Sequence, residues 1–401
     1  MSTLLVINAT INPDMATAIA RGERPRKDYL ELQRALDATI LDLASVEQHR
    51  WTRVLKRVGG TGLAQAALAW RWSSQYDAVF VDQETTGTIL GALNRLRRRR
   101  PRLVMIAHLL TPTKKRMLLR FLGMRHTTDC LIVHSTPQRE AAVTHLGLKP
   151  EQVSLLPYQT DPLFWTSRSH APKRQICSAG LEYRDYDTLV EAARDLDVAV
   201  TIAAASHWSR HEAGLGSDKL PGNVRVVSLD YAALREAYAD SLFVVVPLHD
   251  ADNQAGITTI LEAMAMGKAV VVSHTRGQTD VVRDRRHLSR TNPLRTTQPE
   301  WARLLGASDM TARGHTGIYV RPYDADELRR AITFLLQHPE QAAMMGANGR
   351  RLIEETMGLD HFVERVTAAI RREQPALTSA MTDAACAVGS EVEVALPYAR
   401  R

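Results

Sequence analysis

Residues 253–273, N-Q-A-G-I-T-T-I-L-E-A-M-A-M-G-K-A-V-V-V-S, read as loop, helix, tight stop and buried strand in one short span. Ile257, Ile260, Leu261 and Met264 recur at helical spacing, so one face of the helix is apolar. Gly267 ends that helix, and Ala269 to Val272 is an unbroken apolar run. Such a run suits a strand covered on both faces, as in a parallel sheet. A helix passing directly into a strand of this kind commits the chain to α/β layering. Gly256 lets a backbone come close to a ligand at the helix start. The first turn then offers free N–H groups and a positive dipole end, which suits a phosphate or another anion. Glu262 lies about two turns further on, within reach of a neutral hydroxylated group near such an anion. The plainer reading is an ordinary helix–strand unit of any α/β protein.

The same alternation fills the chain. Strands are expected near 4–7, 39–43, 78–81, 103–107, 130–134 and 153–156, with helices over 29–36, 63–72, 113–124 and 136–146. Gly59 and Gly60 read as the entry turn of the second helix. Pro157, Pro162 and Pro172 then interrupt the pattern and mark a linker. A second series follows, with strands near 176–179, 198–203, 224–227, 242–246, 269–272 and 317–320. Its helices fall over 188–195, 231–239, 258–266, 325–336, 339–356 and 359–371. At 401 residues the chain is too long for one ordinary core. The expected organisation is a domain over 1–157, a linker over 158–172, a domain over 173–356, a helix over 357–377 and a loose tail over 378–401.

Composition removes several classes. No apolar run approaches the ~20 residues of a membrane span, and the first strand has no charged leader, so no signal peptide is expected. Cys130, Cys177 and Cys386 are far apart, with neither metal nor disulfide spacing, which points to a reducing cytoplasm. A net charge of +7 favours anionic partners. Nucleic acid ranks last, because only 5% of residues are aromatic and none is interleaved with the basic runs as stacking would need.

The 253–273 stretch also resembles the donor-site segment of retaining GT-B glycosyltransferases, glycosyltransferase family 4 in particular. Ala263, Met264, Ala265 and Gly267 match its A-M-A-x-G, and Glu262 matches the second acid of its E-x7-E pattern. Segments 131–147, 153–165, 317–328 and 345–351 are similar to further family segments in the same order. The resemblance implies an α/β fold of two Rossmann-like doubly wound domains facing a cleft, with the C-terminal helix crossing back to the first domain. It implies a nucleotide-sugar as co-substrate, no cofactor and no metal. Glu262 is then the ribose ligand and Gln254, in place of the first acid, meets the transferred sugar. Gly256, Ile257, Thr258 and, opposite, Gly180 also face the donor.

Two features depart from the family. The Gly-Gly loop after the first strand is missing, and Asn8, Asn12, Pro13 and Asp14 stand there instead. The connection over 283–316 is longer than the family's, with an inert surface loop as the favoured reading.

Segment 178–189, S-A-G-L-E-Y-R-D-Y-D-T-L, resembles the loop that grips the diphosphate. Arg184 fits its cation, and a guanidinium binds phosphate through two parallel hydrogen bonds. A surface ion pair with Asp185 or Asp187 is the competing reading. His108, at the end of a strand, resembles the family's active-site histidine; the competing reading is a structural histidine. Glu84 and Asn12 are candidates on the acceptor side, with helix capping the alternative for Glu84. Asp250 and Asp252 form the one Asp-x-Asp pair near the donor loop and are expected to shape that loop rather than bind metal.

The basic helix around Lys114 to Leu122 reads either as a solvated face or as peripheral contact with anionic membrane. Two functions stand: transfer of a sugar to a glycan, lipid or small-molecule hydroxyl, or a non-catalytic GT-B protein that binds a nucleotide-sugar or anionic polymer.

Overall fold

The computed structural model describes residues 1–166, 171–204, 220–278, 280–284 and 314–373. Most of the long 283–316 connection and all of the 378–401 tail lie outside the described residues.

Two parallel six-stranded sheets organise the described chain. The first contains β1 (Thr3–Val6), β2 (Thr39–Leu41), β3 (Ala78–Val81), β4 (Arg102–Ala107), β5 (Cys130–Val133) and β6 (Val153–Leu155). Their order is β2-β1-β3-β4-β5-β6, with Leu5 opposite Ile40 on one side and Phe80 on the other. Helices α1 (Met15–Ala20), α2 (Asp28–Leu36), α3 (Leu43–Gln48), α4 (Arg50–Trp72), α5 (Glu84–Asn94), α6 (Thr113–Phe121), α7 (Met124–Thr127) and α8 (Thr136–Glu140) accompany it. The second sheet contains β7 (Gln175–Ala179), β8 (Ala199–Ala203), β9 (Val224–Val227), β10 (Phe243–Val246), β11 (Ala269–Ser273) and β12 (Gly317–Val320), ordered β12-β11-β10-β7-β8-β9. With it come α9 (Tyr186–Ala193), α10 (Tyr231–Asp240), α11 (Ile257–Ala265), α12 (Ala325–Gln337), α13 (Pro339–Leu352) and α14 (Leu359–Arg371).

Strands β1, β3, β5, β7, β10, β11 and β12 are buried along their whole length, because helices cover both faces of each sheet. In the second sheet the strand order reverses between β7 and β10, and the crevice beyond their carboxyl ends is where an open α/β sheet takes a ligand. Helix α14 belongs by packing to the first domain. Phe362, Val366 and Ile370, spaced by four, enter one core with Leu5, Leu32, Phe80 and Ile106. Arg102 on β4 donates to Ala369 O at 3.0 Å, and Arg371 to Ala35 O at 3.2 Å.

Helix α4 differs from expectation. Helical structure already starts at Arg50, and Gly60 (φ 82°, ψ 170°), a non-helical break, joins this added first half to the expected helix as its entry turn. Arg50, Arg53, Lys56 and Arg57 obscured the period, since this first half buries little beyond Thr52. The basic runs are also less solvated than their composition suggests. Lys115 turns inward to the buried carboxylate of Glu84, Arg97 lies over the Trp70 ring, and Arg100 pairs with Asp129.

Candidate active site

The loop leaving β7 places Arg184 at the switch point. Gly180 adopts φ +101°, open to glycine at little cost, and lets the loop fold back over the strand end. The Arg184 guanidinium then donates to Ala179 O (2.8 Å), Glu182 O (2.8 Å) and Thr259 Oγ1 (3.0 Å). None of these partners carries a charge. The ion pair with Asp185 or Asp187 is absent. Asp185 instead caps α9, accepting from the Thr188 N–H (3.2 Å) and hydroxyl (2.7 Å). Burial disfavours the charged guanidinium and lowers its pKa.

Helix α11 begins against this arginine. Its cap, Gly256, has φ +79° and no side chain to satisfy the first-turn N–H groups. A Cβ there would sit 2.9 Å from Val246 Cγ1 and 3.3 Å from Arg184 Nη1. Two bare glycines therefore flank one cation at a helix N-terminus. Ile257 is buried while Thr258 is exposed at the mouth of the loop. Just before them, both amide atoms of Gln254 are buried without a hydrogen-bond partner. Deeper along α11, Glu262 accepts from the Tyr238 hydroxyl at 3.3 Å. Burial pushes the Glu262 carboxyl up to about 8, opposed by the Tyr238 hydrogen bond and the charges of Lys27 and Arg184.

In the first domain His108 follows β4. Its Nε2 lies 2.9 Å from Asp82 O, which can only accept, so Nε2 carries the proton. Nδ1 then accepts from the Tyr158 hydroxyl at 2.7 Å. His134 packs on Tyr158 with ring centroids 3.9 Å apart, and burial pushes its pKa down to about 3. Burial drives the Asp82 carboxyl the other way, up to about 7, although it accepts from the Asn8 N–H. Glu84 is 1% exposed and engaged by the His108 N–H (3.2 Å) and by Lys115, so it forms the floor under His108. Asn12 is exposed and accepts from the Asp14 N–H at 2.9 Å, at the entry to α1.

Thr259, Tyr238 and Tyr158 complete these groupings. Thr259 lies in the donor segment one turn before its acid and Tyr158 in the family-like 153–165 segment, whereas Tyr238 lies in no such segment. Asp250 and Asp252 are both held by Arg276 at 3.1 Å. Among the described residues no cluster of three metal-ligating side chains occurs, and no helix is long and apolar enough to cross a membrane.

Residues 175–297 match the family described as glycosyl transferases group 1. No curated protein sequence matches the chain. Among solved structures, sucrose-phosphate synthase from Thermosynechococcus elongatus is 16% identical, with TM-score 0.63 over 93% of this chain and 99% of that one. HepE from Anabaena, solved with UDP-glucose, is 13% identical, with TM-score 0.63 over 92% and 99%. A glycosyltransferase from Rickettsia africae is 12% identical, with TM-score 0.62 over 92% and 98%. The chain therefore has the GT-B fold, and the family match falls within its second sheet domain.

Proposed function

We propose that the chain is a retaining glycosyltransferase that moves a sugar from a nucleotide-sugar to an acceptor hydroxyl. The observation that carries this reading is Arg184, a largely buried cation with no carboxylate in hydrogen-bond contact, set between two glycines at a helix N-terminus. A diphosphate leaving group supplies the missing negative charge, and that charge is greatest in the transition state. The bond from sugar C1 to the leaving phosphate oxygen breaks, and its electron pair stays on the diphosphate. The acceptor oxygen bonds to C1 on the same face, and its proton passes to the leaving phosphate.

In this reading Arg184, Gly180 and the N–H groups at Gly256 and Thr258 hold the diphosphate, while the Ile257 N–H is already bonded to Gln254 O at 3.2 Å. Glu262 takes the ribose hydroxyls, and the unpartnered Gln254 amide meets the sugar. His108, its ring fixed by Asp82 and Tyr158, lines the sugar side. Glu84 supports it from below, and Asn12 is left on the acceptor side. The proposal extends to a cytoplasmic protein with peripheral contact to anionic membrane through α6. Met117 (68% exposed), Leu118 (45%) and Phe121 (86%) on that helix support it, standing beside Lys114, Arg116 and Arg120.

Incubation with a panel of labelled nucleotide-sugars tests the reading. Turnover of at least one donor, even slow hydrolysis to the nucleoside diphosphate, is expected. Binding without turnover across the panel would favour the non-catalytic alternative. Proton NMR of the first product then reads the anomeric configuration, and inversion would remove the retaining mechanism.

A further inference from the structure

Segment 23–28, E-R-P-R-K-D, leads into α2, and its Arg24 and Lys27 lie over Tyr231 of the second domain. Arg26 fastens it. Its backbone N–H donates to Asp161 Oδ2 (2.9 Å), and its guanidinium donates to Asp161 Oδ1 (2.9 Å) and Asp360 Oδ1 (2.8 Å). Asp28 accepts from Gln159 Nε2 at 3.0 Å. Lys27 is extended (φ −112°, ψ 133°). In extended chain, neighbouring side chains point to opposite sides. Arg26 and Asp28 thus tie the strap to the inter-domain linker and α14, while Lys27 is turned the other way.

Lys27 Nζ lies 5.7 Å from the centroid of the Tyr231 ring, and Arg24 Cζ lies 5.2 Å from the same centroid. Tyr231 opens α10, in the second domain. Neither cation has a carboxylate partner among the described residues, and Arg24 Nε is buried with no hydrogen-bond partner. Two positive charges converging on one ring repel each other, and a ring quadrupole is a weak substitute for a counter-ion. Meanwhile every other charged side chain of the strap is paired: Glu23 with Arg21, Arg26 with two aspartates and Asp28 with Gln159. The unpaired two are therefore a local exception that an anion would resolve.

We propose that Arg24 and Lys27 form a second anion site, presented by the first domain over Tyr231, that takes a phosphoryl group of a substrate. It deepens the reading above and rests on it only for which substrate brings the phosphoryl group. Arg184 approaches the cleft from the second domain and this pair from the first, so one phosphorylated ligand, or two ligands together, would draw the domains toward each other.

Calorimetry on the full chain tests the pair, with Arg24→Gln, Lys27→Gln, the double variant and Lys27→Arg. Inorganic pyrophosphate is the first probe. At low salt the double variant should bind it at least ~10-fold more weakly than the wild type, and Lys27→Arg should bind it like the wild type. Equal binding by the double variant, with an unchanged melting temperature, overturns the proposal. Nucleoside diphosphates and the matching nucleosides then identify the source. A loss for the diphosphate alone assigns the phosphoryl group to the donor. A loss for hexose 6-phosphate added to diphosphate-saturated protein assigns it to the acceptor. No loss in either arm also overturns the proposal. A wild type that binds pyrophosphate but no nucleotide would remove the glycosyltransferase reading and leave the anion site standing.

Discussion

A largely buried guanidinium with no hydrogen-bonded carboxylate is costly to maintain, and Arg184 donates to three uncharged oxygens. If its counter-charge is a leaving diphosphate, Arg184→Ala should lower kcat far more than it raises KM for the donor. Arg184→Lys should recover part of the loss, since a point charge remains without the fork. Wild-type turnover in Arg184→Ala would remove the assignment. Glu262 gives a prediction with a sign. Burial pushes its carboxyl in the folded protein up to about 8, whereas an unfolded glutamate loses its proton near ~4.3. Between these values the folded state holds the extra proton, so the contribution of Glu262 to stability falls as pH rises through the window. Glu262→Gln cannot ionise. Its melting temperature should therefore gain on the wild type from pH 5 to pH 9, and a constant difference would contradict the burial. Arg184, Gly256 and Glu262 were legible in the sequence because each lies in a short local pattern. The contacts of Tyr238 and Tyr158 were not, since Tyr238 meets Glu262 across 24 positions and Tyr158 meets His108 across 50.

Helix α11 shows how an element fixes the site. Its start needs a left-handed residue with no Cβ, and its end needs Gly267 at φ +69°. Helix α13 then presses Gly346 onto the Gly267 carbonyl, where a Cβ would overlap it, and sets Gly349 against Met264. The M-G-A-N-G-R-R segment is thus a close helix approach behind the donor loop. Gly256→Ala meets both a strained φ and the Val246 methyl, and should cost about 1–3 kcal/mol in chemical denaturation. It should also displace Arg184 and lower kcat; full activity with unchanged stability would mean the loop relaxes freely. Helix α6 makes a separate prediction. The protein should sediment with anionic vesicles at low salt and release at high salt. Absence from the pellet at every salt concentration would leave α6 a solvated face. The strands were legible because burial on both faces writes them as unbroken apolar runs. The first half of α4 was not, because an exposed basic helix with few buried residues has no apolar period to read.

At the scale of the molecule, contacts distant in sequence fasten the linker and the last helix to the first domain. Arg26 reaches Asp161 across 135 positions and Asp360 across 334, and no local pattern announces either pair. The last helix is the largest such contact. Residues near the end of the described chain complete the core built on β1, β3 and β4, near its beginning. Phe362 is 2% exposed and packs in that core with Leu5, Phe80 and Ile106. Removing a buried phenyl ring costs about 3–5 kcal/mol through lost transfer energy and the cavity left behind. In Phe362→Ala the cost should fall on the first domain, though the residue follows the whole second domain in sequence. Hydrogen exchange read by mass spectrometry locates it. Amides of β1, β3 and β4 should exchange faster in the variant, while those of β10 and β11, whose core is built from other residues, keep their wild-type protection. Acceleration confined to β10 and β11 would mean that α14 is stabilised by the second domain instead. Uniform acceleration in both sheets would mean that the domains unfold as one unit, with α14 coupling them.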